Sequence, residues 1–155
     1  WLHVIGNMWF LWIYGDNIED ILGHFKYLIF YVLCGLAAGV AHILVSPYSR
    51  VPTIGASGAI AGVMGAYMIK FPHSRIITLV PIVIFFTAIE VPAVLILIYW
   101  LVLQVFSGVW EVGYSQVARE GVAWFAHIGG FVAGMILILM FRTERRFRRR
   151  RDLQC

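Results

Sequence analysis

The chain has 155 residues, 61% hydrophobic and 13% charged, with a mean hydropathy of +0.85. Soluble domains are roughly 45–50% apolar and about 25% charged, so this composition excludes an ordinary soluble core and describes a multi-pass membrane protein. The net charge of +4 rests on seven arginines between Arg142 and Arg151, a terminal cluster that reads as a cytoplasmic membrane-surface anchor and not as a nucleic-acid site.

Trp1 already lies inside an apolar pattern and no Met precedes it, so an upstream part is expected. Trp1 to Tyr14 reads as a helix, the end of a longer one. Gly15 to Asp20 should break it, with Asp16 and Glu19 as a capping box for a short helix to Leu22 that Gly23 ends. Phe25 to Val45 is long enough to cross a bilayer. Gly35 and Gly39 within it have small-xxx-small spacing for close helix approach. Ser46 to Pro52 carries turn chemistry. Ser57 to about Lys70 is a helix shorter than a full span, and a buried helix starting partway down the bilayer leaves its N-terminus in a protein-lined cavity.

Ile76 to Ile89 is apolar but short, β-branched and interrupted by Pro81, which favours an interfacial loop or strand-like segment over a span. Pro92 opens a helix to about Val109. Trp110 to Glu120 reads as a polar loop, and Trp124 to Phe141 as the last helix. The expected organisation is an all-α polytopic membrane bundle over residues 1–141 and a basic cytoplasmic tail over 142–155. Cys34 lies in an apolar run and Cys155 ends the chain, so no disulfide framework is expected.

Charge sets the orientation. With the arginine tail inside, the inner segments also hold Lys26, Lys70 and Arg75, and the outer ones only Arg50 and Arg119, as the positive-inside rule asks. The starts of the Ser57 and His127 helices, together with His3, then share the outer side. The parity requires that Ile76 to Ile89 does not cross.

Ser57 and His127 are the candidate chemistry. A serine hydroxyl needs a neighbouring base, and neutral histidine is the usual one near pH 7. Each has a bland reading: a serine at a helix start is usually an N-cap, and a membrane histidine is often a packed, hydrogen-bonded group. Small residues favour the functional reading. Gly55 precedes Ser57, Gly58 and Gly62 are four apart with Gly65 beyond, and Gly130 and Gly134 are four apart on the other helix. Two such faces can pack backbone to backbone, although simple helix packing would use the same spacing.

Acyl transfer also needs donors for the oxyanion. His3 and Asn7 share a face of the first helix, and the Ser57 N–H lies at a helix N-terminus. An interhelical hydrogen bond without catalysis is the alternative for His3 and Asn7. No Asp or Glu is placed to orient His127: Asp16, Glu19, Asp20 and Glu90 fall at the inner face, and Glu111 and Glu120 in the outer loop. A Ser–His dyad is therefore expected. His24 and His73 sit near inner turns. A haem or metal site would need paired histidines at facing depths, such as His42 with His3 or His127, and is not adopted.

Together, His3-Val4-Ile5-Gly6-Asn7-Met8, Gly55-Ala56-Ser57-Gly58 and Ala126-His127-Ile128-Gly129-Gly130 resemble a rhomboid intramembrane serine protease, as does Tyr14 to Asp20 at the family's first inner turn. The resemblance implies Ser57 as nucleophile, His127 as general base, and Asn7 and His3 as oxyanion donors. It implies no cofactor, single-span membrane proteins as substrates, and the cell membrane as location. The family core has six spans; five helices are visible here, the first span and its loop being expected upstream. Many relatives carry an aromatic residue four positions after the serine, where this chain has Ala61, so stacking on His127 would have to come from elsewhere. The rival readings are a non-catalytic relative that binds and escorts membrane proteins, and a small transporter whose spans would lack charged residues.

Overall fold

The computed structural model describes residues 1–45, 47, 56–82, 85–114 and 124–143. Gly55, most of the Ser46–Pro52 loop and the arginine tail beyond Thr143 lie outside them.

The first helical stretch is continuous. Helix α1 (Leu2–Phe10) runs into a π-helical turn (Leu11–Gly15) and then into α2 (Asp16–Leu22). The expected break and capping box are not formed: Gly15 has helical dihedrals and no side chain caps α2. Gly15 serves close approach instead, since a Cβ there would lie 2.6 Å from the Tyr27 hydroxyl. Glu19 bonds forward to His24 Nδ1. Gly23 does end α2, at φ 77° and ψ 154°, a conformation essentially confined to glycine.

Helix α3 (His24–Val45) has 22 residues, about 33 Å at 1.5 Å per residue, enough to cross a hydrocarbon layer of about 30 Å. Its outward face, with Leu28, Val32, Leu36, Val40 and Ile43, is exposed and apolar, as a lipid-facing surface must be. Its inward face differs from the expected glycine pair: a Cβ on Gly39 would meet nothing within 4 Å, and one on Gly35 would make only an ordinary contact with Ala59. Cys34, Ala38 and Ala41 make the close approaches to Gly62, Gly58 and Gly129.

Helix α4 (Ser57–Lys70) is the centre of the bundle. Every residue from Gly58 to Tyr67 is buried, because α3, α6, the π turn and α5 pack around it. At 14 residues it is about 21 Å long, so it cannot reach both surfaces. Its lower end is held by Tyr67, edge-on to Tyr14 at 5.1 Å.

The segment after α4 is strand-like, as expected. Strands β1 (Arg75–Ile82) and β2 (Phe85–Pro92) pair antiparallel, from Arg75 opposite Pro92 to Ile82 opposite Phe85. Pro81 is tolerated because each strand of a two-stranded sheet is an edge. Helix α5 (Ala93–Tyr114) follows directly. It runs past Val109, so Trp110 to Tyr114 is helix where a polar loop was expected. Helix α6 (Trp124–Met140) packs most closely on α4 and α3. Helix α3 and the first 18 residues of α5 are long and apolar enough to span a membrane; α6 is apolar but shorter.

Candidate active site

The site is built at the N-terminal ends of α4 and α6. These helices touch through backbone. A Cβ added to Gly130 would fall onto the Gly58 carbonyl oxygen, one on Gly134 onto that of Gly62, and one on Gly65 onto that of Phe131. With no side chain between the axes, His127, one turn before Gly130, and Ser57, directly before Gly58, are drawn together. His127 Nε2 and Ser57 Oγ are 2.8 Å apart. The N-cap of α4 is Ala56, with no side-chain cap, so the Ser57 hydroxyl is committed to the imidazole and not to its own helix.

His127 is 8% exposed, and a buried imidazole left without partners would cost about 1–3 kcal/mol. Both nitrogens are satisfied. Nδ1 faces Gln104 Oε1 at 2.8 Å, and Gln104 Nε2 donates to the Trp100 carbonyl at 3.4 Å. An amide oxygen only accepts, so the imidazole proton sits on Nδ1 and the Nε2 lone pair accepts the Ser57 O–H. The ring is also walled by indoles: Trp100 lies 5.8 Å away at 40°, and Trp124 is edge-on at 6.4 Å.

Gln104 and Trp100 were not read from the sequence. A carboxylate is the side chain expected to orient a histidine, and the third group here is an amide. One signal was present: Gln104 is the only amide in a largely apolar helix, and polar groups inside membrane helices are costly unless paired. The aromatic neighbour that Ala61 lacks comes from Trp100 on α5; Ala61 itself is fully buried in the core.

His3 and Asn7 lie on α1, His3 exposed and Asn7 half-buried. Among the described residues, neither His3 nor Asn7 is hydrogen-bonded to Ser57 or His127. The first N–H groups of α4 have no intrahelical acceptor and point at the same end of the bundle. No group of three or more candidate metal ligands occurs among the described residues.

A family model described as the Rhomboid domain matches residues 1–144, and the chain belongs to the rhomboid family. It is a membrane protein with the helical bundle of that family. Similar proteins include presenilin-associated rhomboid-like protein A, mitochondrial, of Danio rerio, 30% identical over 131 residues, covering 74% of this chain and 34% of the relative. Rhomboid protein 1, mitochondrial, of Saccharomyces cerevisiae is 30% identical over 82 residues, 50% of this chain and 24% of the relative. Rhomboid protease GluP of Bacillus subtilis is 36% identical over 66 residues, 43% of this chain and 12% of the relative. The chain thus spans about a third or less of the length of these relatives. No solved structure matches it.

Proposed function

We propose that this chain carries the catalytic core of an intramembrane serine endopeptidase, with Ser57 as nucleophile and His127 as general base. The observation that carries the reading is the 2.8 Å contact between Ser57 Oγ and His127 Nε2, made at the start of a helix too short to span. A relative named a protease supports it.

In this reading a single-span membrane protein enters laterally beside α5 and unwinds at the site. His127 Nε2 takes the hydroxyl proton as Ser57 Oγ attacks the peptide carbonyl carbon. The oxyanion is held by the Ser57 N–H, the Asn7 amide and the His3 ring N–H. His127 then returns its proton to the departing amine. Water entering from the outer face hydrolyses the acyl-enzyme, with His127 again as base. Neither metal nor cofactor has a part in these steps. The proposed location is the cell membrane, with the arginine tail on the cytoplasmic side; two of the matched relatives are instead named as mitochondrial.

The test is a fluorophosphonate-type serine probe on the full-length protein, alongside cleavage of a membrane reporter. Labelling at Ser57 is expected. Ser57→Ala should lose both labelling and cleavage, with a fall of at least about 10⁴-fold in rate. Cleavage retained by Ser57→Ala would refute the nucleophile. Normal membrane insertion with neither labelling nor cleavage would favour the non-catalytic escort protein.

A further inference from the structure

We propose that Gln104 is a positioning residue for the reaction at Ser57, acting with Trp100 as an α5-borne clamp on His127; this rests on the protease reading above. Gln104 is 6% exposed and its amide has a defined orientation. Nε2 donates to the Trp100 carbonyl, one turn back in the same helix. That leaves Oε1 to accept from His127 Nδ1 at 2.8 Å. A neutral imidazole carries one ring proton. Held on Nδ1, it leaves the Nε2 lone pair aimed at Ser57 Oγ, 2.8 Å away. The opposite tautomer would present Nε2–H to the hydroxyl and could not accept its proton.

Trp100 supplies the second restraint. Its indole lies against one side of the imidazole and itself stacks on Phe131 at 6.0 Å, so the ring is held against rotation. When Nε2 takes the serine proton, the imidazolium still donates Nδ1–H to Oε1, and the Gln104 carbonyl dipole stabilises the new charge without accepting a proton. Among the described residues, no carboxylate or cation is hydrogen-bonded to His127, whose ring nitrogens meet only Gln104 and Ser57. The structural alternative is that Gln104 merely satisfies a buried nitrogen.

The experiment compares wild type, Gln104→Leu, Gln104→Glu and Ser57→Ala as full-length proteins in proteoliposomes, with a fluorogenic transmembrane substrate. It reads kcat, KM and the pH dependence of kcat/KM. Gln104→Leu removes the acceptor and should lower kcat about tenfold, the rate equivalent of one hydrogen bond. Its KM should stay within about twofold of wild type. Gln104→Glu restores an acceptor at the same place. It should bring kcat back to within about threefold of wild type and move the acid limb of the profile to higher pH, because a carboxylate beside Nδ1 favours the imidazolium. If Gln104→Leu does not insert, Gln104→Met, closer in length, replaces it. A wild-type kcat in the apolar variant, or a loss that Gln104→Glu does not recover, overturns the proposal. Activity in Ser57→Ala would instead overturn the protease reading itself, which separates the two failures.

Discussion

At the scale of single residues, the serine and histidine were legible because each lies close to a run of spaced glycines in an apolar helix. Their meeting depends on a contact 70 residues apart in sequence, which no local pattern encodes; the glycine spacing suggested it only indirectly. The third polar group was not legible for a chemical reason. Orienting a histidine is associated with carboxylates, but a carboxylate without a cation is expensive inside a bilayer. A neutral amide does the same geometric work at lower desolvation cost, and Gln104 sits on a helix whose sequence otherwise reads as lipid-facing. Asn7 carries the residue-scale prediction. If its amide donates to the oxyanion, Asn7→Ala should lower kcat about 10²–10³-fold while leaving Ser57 reactive to a small fluorophosphonate. Parallel rate and labelling assays check this, and an unchanged kcat would remove Asn7 from the site.

At the scale of elements, glycines did three different jobs that the sequence alone did not separate. The sequence predicts a break at Gly15, yet the chain passes through it as a π turn, and its missing side chain admits the Tyr27 hydroxyl. The spacing predicts a packing position at Gly39, and a Cβ there meets nothing within 4 Å. Gly58, Gly62, Gly130 and Gly134 are packing positions: the first two face the Ala38 and Cys34 side chains of α3, and the last two face carbonyl oxygens that cannot move aside. Gly134→Ala should therefore destabilise the bundle by about 1–3 kcal/mol or more. Gly39→Ala, in open space, should be neutral or slightly stabilising through helix propensity, worth up to about 1 kcal/mol. Thermal unfolding in detergent distinguishes them, and equal midpoints would contradict the ladder. Gly23→Ala should cost about 1–3 kcal/mol because of its backbone conformation alone, with no clash involved.

At the scale of the whole molecule, the basic residues that the charge count assigns to one side gather at one end of the bundle. Lys26 Nζ reaches the Arg142 carbonyl at 3.5 Å and Lys70 Nζ the Thr143 hydroxyl at 3.5 Å, so basic residues of α3 and α4 gather where α6 ends. Ser57 and His127 occupy the opposite end. The described residues of β1 and β2 pair antiparallel and supply no crossing helix, which is what the proposed orientation requires. A fluorescent protein fused after Cys155, of a type that matures only in the cytoplasm, should therefore be bright in bacterial cells. A dark fusion with normal expression would reverse the proposed orientation.

The carbonyl-to-glycine seam between α4 and α6 has a consequence for how a protein with the proposed chemistry can vary. The gap separating alcohol from imidazole is fixed by main chain lying on main chain, so no spacer exists whose size could be tuned, and even one added methyl is too many. Substitutions that adjust reactivity without wrecking the scaffold must act from the third side, through the helix that carries the tryptophan and the glutamine. Differences in speed between close relatives should accordingly accumulate along α5, while the seam itself tolerates almost none.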